Sequence, residues 1–214
     1  MLIDFRHLFQ RHNINCTGIL HIGASTGQER EIYAELNIPE VLWIEAIPNV
    51  FEQLKENLSP YVNQIAIKAC LGDVDGEEVT FHVSNNEAQS SSYLELGVHK
   101  SLHPEVHYIE DIPMETIRLD SLFLFLERDI KHINFINIDV QGAELKVLKG
   151  AGKILNQIDY IYVEVNAAET YVGCPLISDL DEFLSDFDRV ETSELVGGIW
   201  GDALYIRKNK IINE

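Results

Sequence analysis

The chain has 214 residues, with 16 Lys and Arg against 35 Asp and Glu, for a formal net charge of −19. A field of that sign repels phosphate backbones and anionic membrane surfaces, so no nucleic-acid partner is expected and a neutral or cationic substrate is favoured. No apolar run reaches the ~18 residues of a membrane span, and Cys16, Cys70 and Cys174 are too few and too far apart for a disulfide framework or a cysteine metal site.

The first residues, "LIDFRHLFQRH", lack the pattern of a signal peptide, so a cytoplasmic setting is expected. They place Leu2, Phe5, Leu8 and Phe9 on one helical face. "TGILHIGA" reads as a buried strand. "TGQEREIYAELN" reads as a helix capped by Thr26, with Glu29 three residues on and Asn37 at its end. "EVLWIEA" is a second strand and "PNVFEQLKENL" a second helix opened by Pro48. "NQIAIKACLG" is a third strand, followed by a turn at Asp75–Gly76 and an antiparallel-looking strand in "EEVTFHVS". From Asn85 to Pro113 periodicity dissolves into serines, histidines and other polar residues. A loop of that length is usually functional, and this one is expected to cover an acceptor. "METIRLDSLFLFL" returns to strand and helix. "INFINIDVQGAELKVLKGAGKIL" is a strand and a helix, "IDYIYVEVN" a strand, and "ISDLDEFLSDF" a helix. "DRVETSELVGGIWGDALYIRK" is two strands around a glycine-rich turn. Strands alternating with helices imply a doubly wound, mainly parallel sheet, and the last two strands form a hairpin. Residues 1–214 read as a single domain.

In such a sheet, ligands bind beyond the carboxyl ends of the strands, where strand order reverses. The residues collected there are His21 to Gly27, then Glu45, Cys70 and Leu71, Asp139, and Glu164 to Asn166. Gly23 and Gly27 permit close backbone approach, and a helix beginning near Thr26 would aim free N–H groups at the site. Glu45 lies 18 residues past Gly27, near the offset at which an acid accepts hydrogen bonds from ribose hydroxyls. The central glycine of a dinucleotide loop is missing, so an adenosine ligand without phosphates fits better, and S-adenosylmethionine is one.

The blocks "HIGASTGQE", "VLWIEAIPNVFEQLKENL", "SSSYLELGVHKSLHPEV", "IRLDSL", "INIDVQGAELKVLKGA", "VEVNAAETY" and "WGDALYIRK" together resemble the FkbM-type S-adenosylmethionine-dependent methyltransferases, over about residues 17 to 208. The resemblance implies a class I methyltransferase fold: a Rossmann-like, doubly wound sheet of seven strands, mainly parallel, with an antiparallel C-terminal hairpin strand. It implies O-methylation, often of sugar or polyketide hydroxyls. It places His21, Gly23, Ala24, Ser25, Gly27 and Gln28 at the methionine part of the cofactor. Glu45 and Ala46 fall at the ribose, and Cys70 and Leu71 beside the adenine. His21 departs from the acid many methyltransferases carry there, and Ile47 from the family's polar residue.

Methyl transfer to a hydroxyl needs a proton acceptor or a Lewis acid near an in-line approach of about 3 Å. Asp139 ends the fourth strand and is one candidate, its alternative being a helix cap. His99 and His103 are two more, since histidine titrates near neutrality. Asp139, Glu164 and Asn166 together resemble the way catechol-type methyltransferases hold Mg²⁺, which makes a metal the less favoured alternative. The expected reaction is O-methylation of a sugar or glycan. The alternatives are a Mg²⁺-dependent small-molecule O-methyltransferase and a non-catalytic cofactor binder.

Overall fold

The structure, a computed structural model, describes residues 2–210. Helix α1 (Phe5–Arg11) precedes strand β1 (Ile19–Ile22), and α2 (Arg30–Glu35) leads to β2 (Val41–Glu45). Helix α3 (Pro48–Leu58) and β3 (Gln64–Lys68) follow, then the two-residue β4 (Cys70–Leu71) and β5 (Glu78–Ser84). After α4 (His99–Leu102) come β6 (Tyr108–Ile117) and α5 (Leu119–Phe125). Strand β7 (Phe135–Ile138), α6 (Glu144–Gly150), β8 (Tyr160–Asn166) and α7 (Ile177–Phe183) continue the alternation. The hairpin of β9 (Phe187–Thr192) and β10 (Trp200–Arg207) closes it.

Seven strands form one sheet in the order β3-β2-β1-β7-β8-β10-β9. The pairs β2–β3, β1–β2, β1–β7 and β7–β8 are parallel. Strand β10 runs antiparallel to both β8 and β9. This is the class I methyltransferase sheet expected from the sequence. Strand order reverses at β1, which has β2 on one side and β7 on the other. The central strands are buried on both faces, so they read as continuous apolar runs. Their side chains still alternate between two layers. Leu20, Ile22, Leu42, Ile44, Ile136 and Ile138 enter one core cluster. Ile19, Val41, Trp43 and Phe135 enter the other, where Phe5 and Leu8 of α1 cover them. Burying such a side chain contributes about 1.5–3 kcal/mol. Among the described residues, no helix is long and apolar enough to cross a membrane.

Four local expectations change. Helix α1 starts at Phe5, because the Asp4 carboxylate accepts the N–H groups of Arg6 (2.8 Å) and His7 (3.2 Å); Leu2 lies outside it. Helix α2 starts at Arg30, and Thr26 does not cap it. Ser25 (φ 47°) and Gly27 (φ 76°) are left-handed and use up the residues that a helix from Thr26 would have needed. The third strand is broken, with Cys70 and Leu71 leaving the main sheet to pair with β6. The stretch from Asn85 to Pro113 is irregular only to His107, since Tyr108 to Pro113 belong to β6, which pairs antiparallel with β5.

Candidate active site

A cavity of about 690 Å³ opens at the carboxyl ends of β1, β2 and β7. Its floor is the turn after β1. The N–H groups of Gly23 and Ala24 both donate to the Ile44 carbonyl (3.0 Å each), and Asp139 N–H donates to the Ile22 carbonyl (3.0 Å). Gly23 has φ 79°, and a Cβ built there would lie 1.7 Å from the Asp139 carbonyl oxygen. The close approach that this glycine permits is therefore to the end of β7. Gly27 likewise faces Leu54 of α3, 2.9 Å from its Cβ position, and does not line the cavity. Each glycine spares a clash within the protein, and Gly23 also lines the cavity.

Glu45 ends β2 and is buried. Its Oε2 accepts Ser25 N–H and its Oε1 accepts Ile47 N–H, both at 2.8 Å. One carboxylate thus ties the turn after β1 to the start of α3. Burial pushes its pKa up to about 7, against the opposing pull of these N–H donors. Each oxygen retains acceptor capacity toward the cavity. Ala46, Cys70 and Leu71 line the same region, with Ile47 and Val50 as apolar walls. Gln28 also reaches the cavity, its amide donating to Ser25 Oγ (3.2 Å).

His21 takes the side of β1 that faces the aromatic layer. Its ring stacks on Trp43 with centroids 4.4 Å apart, and its Nδ1 lies 3.0 Å from the Tyr33 hydroxyl. Asn137 donates to the same hydroxyl at 2.8 Å. Burial holds the His21 pKa down at about 3, so the ring is neutral. Its edge borders the cavity, while its ring packs the core.

The strand ends of β7 and β8 bring acids together. Gln141 donates from one amide nitrogen to Asp139 Oδ1 (2.6 Å) and Glu164 Oε2 (2.9 Å), and its Oε1 accepts from the Tyr171 hydroxyl. Gln141 and Gly142 are both left-handed, at φ 54° and 98°, which delays α6 until Glu144. Asp139 therefore caps no helix. Burial and the neighbouring Asp202 raise the Asp139 pKa, and burial with Asp139 raises that of Glu164 well above the carboxylate range. Glu144, fully buried, joins them: one oxygen of each of Asp139, Glu144 and Glu164 lies within 4.8 Å of the others. Asn166 lies beside them, its amide donating to Glu164 Oε1 (3.5 Å) and its side-chain oxygen accepting from Thr170 Oγ1 (2.6 Å); like Glu144, it does not line the cavity.

The loop from Asn85 to His107 forms the opposite wall. Asn86, Ser90 and Ser91 line it, held by hydrogen bonds around Ser84. The loop is stitched to the chain after β8. Gly97 N–H donates to Thr170 O (2.8 Å) and Val98 N–H to Glu169 O (2.9 Å), and Leu96 packs with Tyr171 and Cys174. It is thus better anchored than its polar composition implies. His99 and His103 both line the cavity, their ring centroids 5.0 Å apart, with α4 ending before Pro104. His99 is buried, and its Nδ1 has no hydrogen-bond partner. Burial and His103 lower its pKa, so it is a neutral base at neutral pH.

Of the candidates read from sequence, all but Thr26, Gly27 and Asn166 border this one cavity. Gln141, Glu144 and Tyr171 were not singled out. Gln141 and Glu144 were hidden inside a run that reads as continuous helix, and Tyr171 carried no local motif. The donor set suits a nucleoside with a cationic side chain. Glu45 offers acceptors for a ribose, apolar walls stand beside it, Asp139 lines the same cavity, and no lysine or arginine is among the described lining residues.

Comparison with known proteins agrees. The chain is 30% identical over 201 residues to the 2-O-methyltransferase NoeI of Sinorhizobium fredii (strain NBRC 101917 / NGR234), covering 90% of this chain and 80% of that protein. Its fold matches a SAM-dependent methyltransferase from Aquifex aeolicus with a TM-score of 0.53 at 10% identity, covering 99% of this chain and 91% of that one. It also matches Aeropyrum pernix fibrillarin with bound S-adenosyl-L-methionine, with a TM-score of 0.52 at 10% identity, covering 90% and 67%. The profile of the methyltransferase FkbM domain matches residues 21–190, and the chain belongs to the FkbM family of S-adenosylmethionine-dependent methyltransferases.

Proposed function

We propose that the protein transfers a methyl group to a hydroxyl of a sugar or glycan. The observation that carries this reading is the wall opposite Glu45. Asn85, Asn86, Gln89, Ser90 and Ser91 line it with neutral polar side chains, those of Asn85, Asn86 and Ser90 held by hydrogen bonds within the loop, and Tyr171 and Trp200 line it with aromatic residues. Amides, hydroxyls and aromatic faces suit an uncharged polyol, and the absence of lysine and arginine from the described lining argues against a phosphorylated acceptor. The relationship to a 2-O-methyltransferase supports a hydroxyl as the acceptor.

S-adenosylmethionine supplies an activated methyl group on a sulfonium. The protein's share is to hold and orient it and to take one proton from the acceptor. Glu45 accepts the ribose hydroxyls while Ser25 and Ile47 N–H groups fix its orientation. Ile47, Cys70 and Leu71 would flank the adenine, and Asp139 would stand near the cationic end of the cofactor. His99, whose ring lines the cavity and is kept neutral by burial, would take the proton. The loop from Asn85 to His107 covers the acceptor.

Labelled cofactor offered to a panel of neutral oligosaccharides, nucleotide-sugars, catechols and RNA tests the acceptor class. Transfer to the neutral oligosaccharides is expected, and transfer confined to nucleotide-sugars, catechols or RNA would refute this reading of an uncharged acceptor. For the cofactor site, Glu45→Ala is expected to weaken S-adenosylhomocysteine binding by about 1.5–3 kcal/mol, the range for hydrogen bonds to a charged group. Unchanged affinity by calorimetry removes Glu45 from the ribose position. The wild-type affinity should also depend on pH. Glu45 is protonated below about 7, and a protonated carboxyl offers the ribose fewer acceptors. Affinity should therefore rise as pH passes upward through about 7, with proton release on binding, and Glu45→Ala should flatten that profile.

A further inference from the structure

We propose that Asp139, Glu144 and Glu164 form a binding site for a hard divalent cation of the Ca²⁺, Mg²⁺ or Mn²⁺ kind, with Asp139 and Glu164 on the wall of the cavity and Glu144 buried behind them. The inference stands on geometry and is independent of the acceptor. Three carboxylates converge, with one oxygen of each within 4.8 Å of the others. Oxygens on opposite sides of Ca²⁺ are about 4.6–5.2 Å apart, twice the usual coordination distance, and those around Mg²⁺ about 4.0–4.2 Å. The cluster thus has the width of such a coordination shell or needs only a slight contraction.

The second observation is Glu144. Its Oε1 is engaged by the N–H groups of Val140 and Gly142, both at 3.0 Å. Its Oε2 is buried without a partner, in a residue that is 0% exposed. A carboxylate oxygen taken from water and left unpartnered costs several kcal/mol unless a charge or donor meets it. Among the described residues, no lysine, arginine or histidine pairs with any of the three acids. The Gln141 amide bridges Asp139 and Glu164, at 2.6 and 2.9 Å. Turning that amide over would present its carbonyl oxygen and complete a set of four oxygen donors. Asp139, Gln141 and Glu164 face the cavity, so water can fill the remaining positions, as these cations require. Oxygen donors alone select hard ions over zinc or copper.

The test is Mn²⁺ binding to the whole chain without cofactor, read by the loss of the free-ion electron paramagnetic resonance signal. Wild type should take up one Mn²⁺ with a Kd of about 1 mM or tighter, in the range of open carboxylate sites. Glu144→Gln keeps an oxygen for the two N–H donors and removes the ligand charge. It should weaken binding at least about tenfold, as should Glu164→Gln. Competition by Ca²⁺ or Mg²⁺ should release the Mn²⁺. No uptake by wild type to about 1 mM, or equal uptake by wild type and both variants, overturns the site. Should Glu144→Gln fail to fold, the wild-type titration and Glu164→Gln decide the question by themselves. Because no methyl donor or acceptor is present, a negative result leaves the glycan reading untouched, and a wrong acceptor leaves the cation result standing.

Discussion

Replacing His99 with alanine is expected to lower turnover by ~10²–10⁴, the usual cost of removing a general base, with cofactor affinity nearly unchanged. His99 borders the cavity, its Nδ1 lacks a partner, and its ring leans on Tyr171 with centroids 5.6 Å apart. Burial disfavours its charged form, so its pKa lies below the ordinary histidine value. The sign follows directly. Lowering the pKa keeps the ring neutral and able to accept a proton through neutral pH, and at saturating cofactor turnover should fall only as the medium turns acid enough to protonate it. The acid limb of kcat, measured at saturating cofactor, should therefore lie below about 6.5 in wild type and vanish from the residual turnover of His99→Ala. His103, more exposed and 3.6 Å from Glu105, is the second candidate. If His99→Ala, His103→Ala and the double variant all turn over as wild type, the proton goes elsewhere, and Asp139 stands next in the cavity. A melting curve separates lost chemistry from lost packing, since His99 is also part of the wall.

Which parts of this arrangement are legible in the sequence depends on how many roles a residue type can play. Strands β1, β2 and β7 announce themselves because both faces are buried, and "ILHI", "VLWIE" and "FINI" leave little other reading. Glu45 is legible from its spacing after the glycines, since an acid at the end of an otherwise apolar strand needs a reason. The first part of strand β6, up to Pro113, is not legible. Its sequence, "YIEDIPMETI", is mostly exposed and holds Pro113, which cannot donate to a ladder. The fold tolerates Pro113 because β4 is only two residues long and pairs β6 at Thr116 and Ile117, leaving that side of β6 without a ladder at Pro113. The acid cluster was half hidden for a different reason. "DVQGAELKVLKG" has helical spacing throughout, yet Gln141 and Gly142 take left-handed conformations that a spacing argument does not register. Those two residues turn the Gln141 amide back onto Asp139 and let Glu144 open the helix. The glycines teach the reverse lesson. Gly23 and Gly27 are legible for the right property, small size with left-handed freedom, but spacing does not register that Asp139 and Leu54 are their near neighbours, or that Gly23 alone of the two lines the cavity.

The contact of Gly23 with Asp139 leads to the second large effect, on stability. Gly23→Ala would place a methyl group 1.7 Å from the Asp139 carbonyl oxygen and 2.7 Å from its carbon. Backbone atoms cannot swing aside as a side chain can. Either β1 and β7 separate at the point where strand order reverses, or the turn rebuilds. Each course strains the Asp139-to-Ile22 hydrogen bond and the pair that Gly23 and Ala24 make to Ile44. The backbone adds its own cost, because φ 79° is left-handed, worth about 1–2 kcal/mol for a residue with a Cβ. Clash and dihedral strain together should cost at least about 3 kcal/mol, a large part of the 5–15 kcal/mol that holds a typical domain folded. At roughly 2–4 °C per kcal/mol for a chain of this size, the melting temperature should drop by ~6–12 °C or more. Gly76→Ala supplies the control. Gly76 is also left-handed, at φ 73°, but nothing lies within 4 Å of its Cβ position. It should lose only the dihedral term, or about 2–8 °C at the same conversion. The difference between the two variants measures the contact with Asp139. Equal melting temperatures would mean that the strand ends are not packed as tightly as this geometry requires, and the turn after β1 would return to being a loop shaped for its ligand.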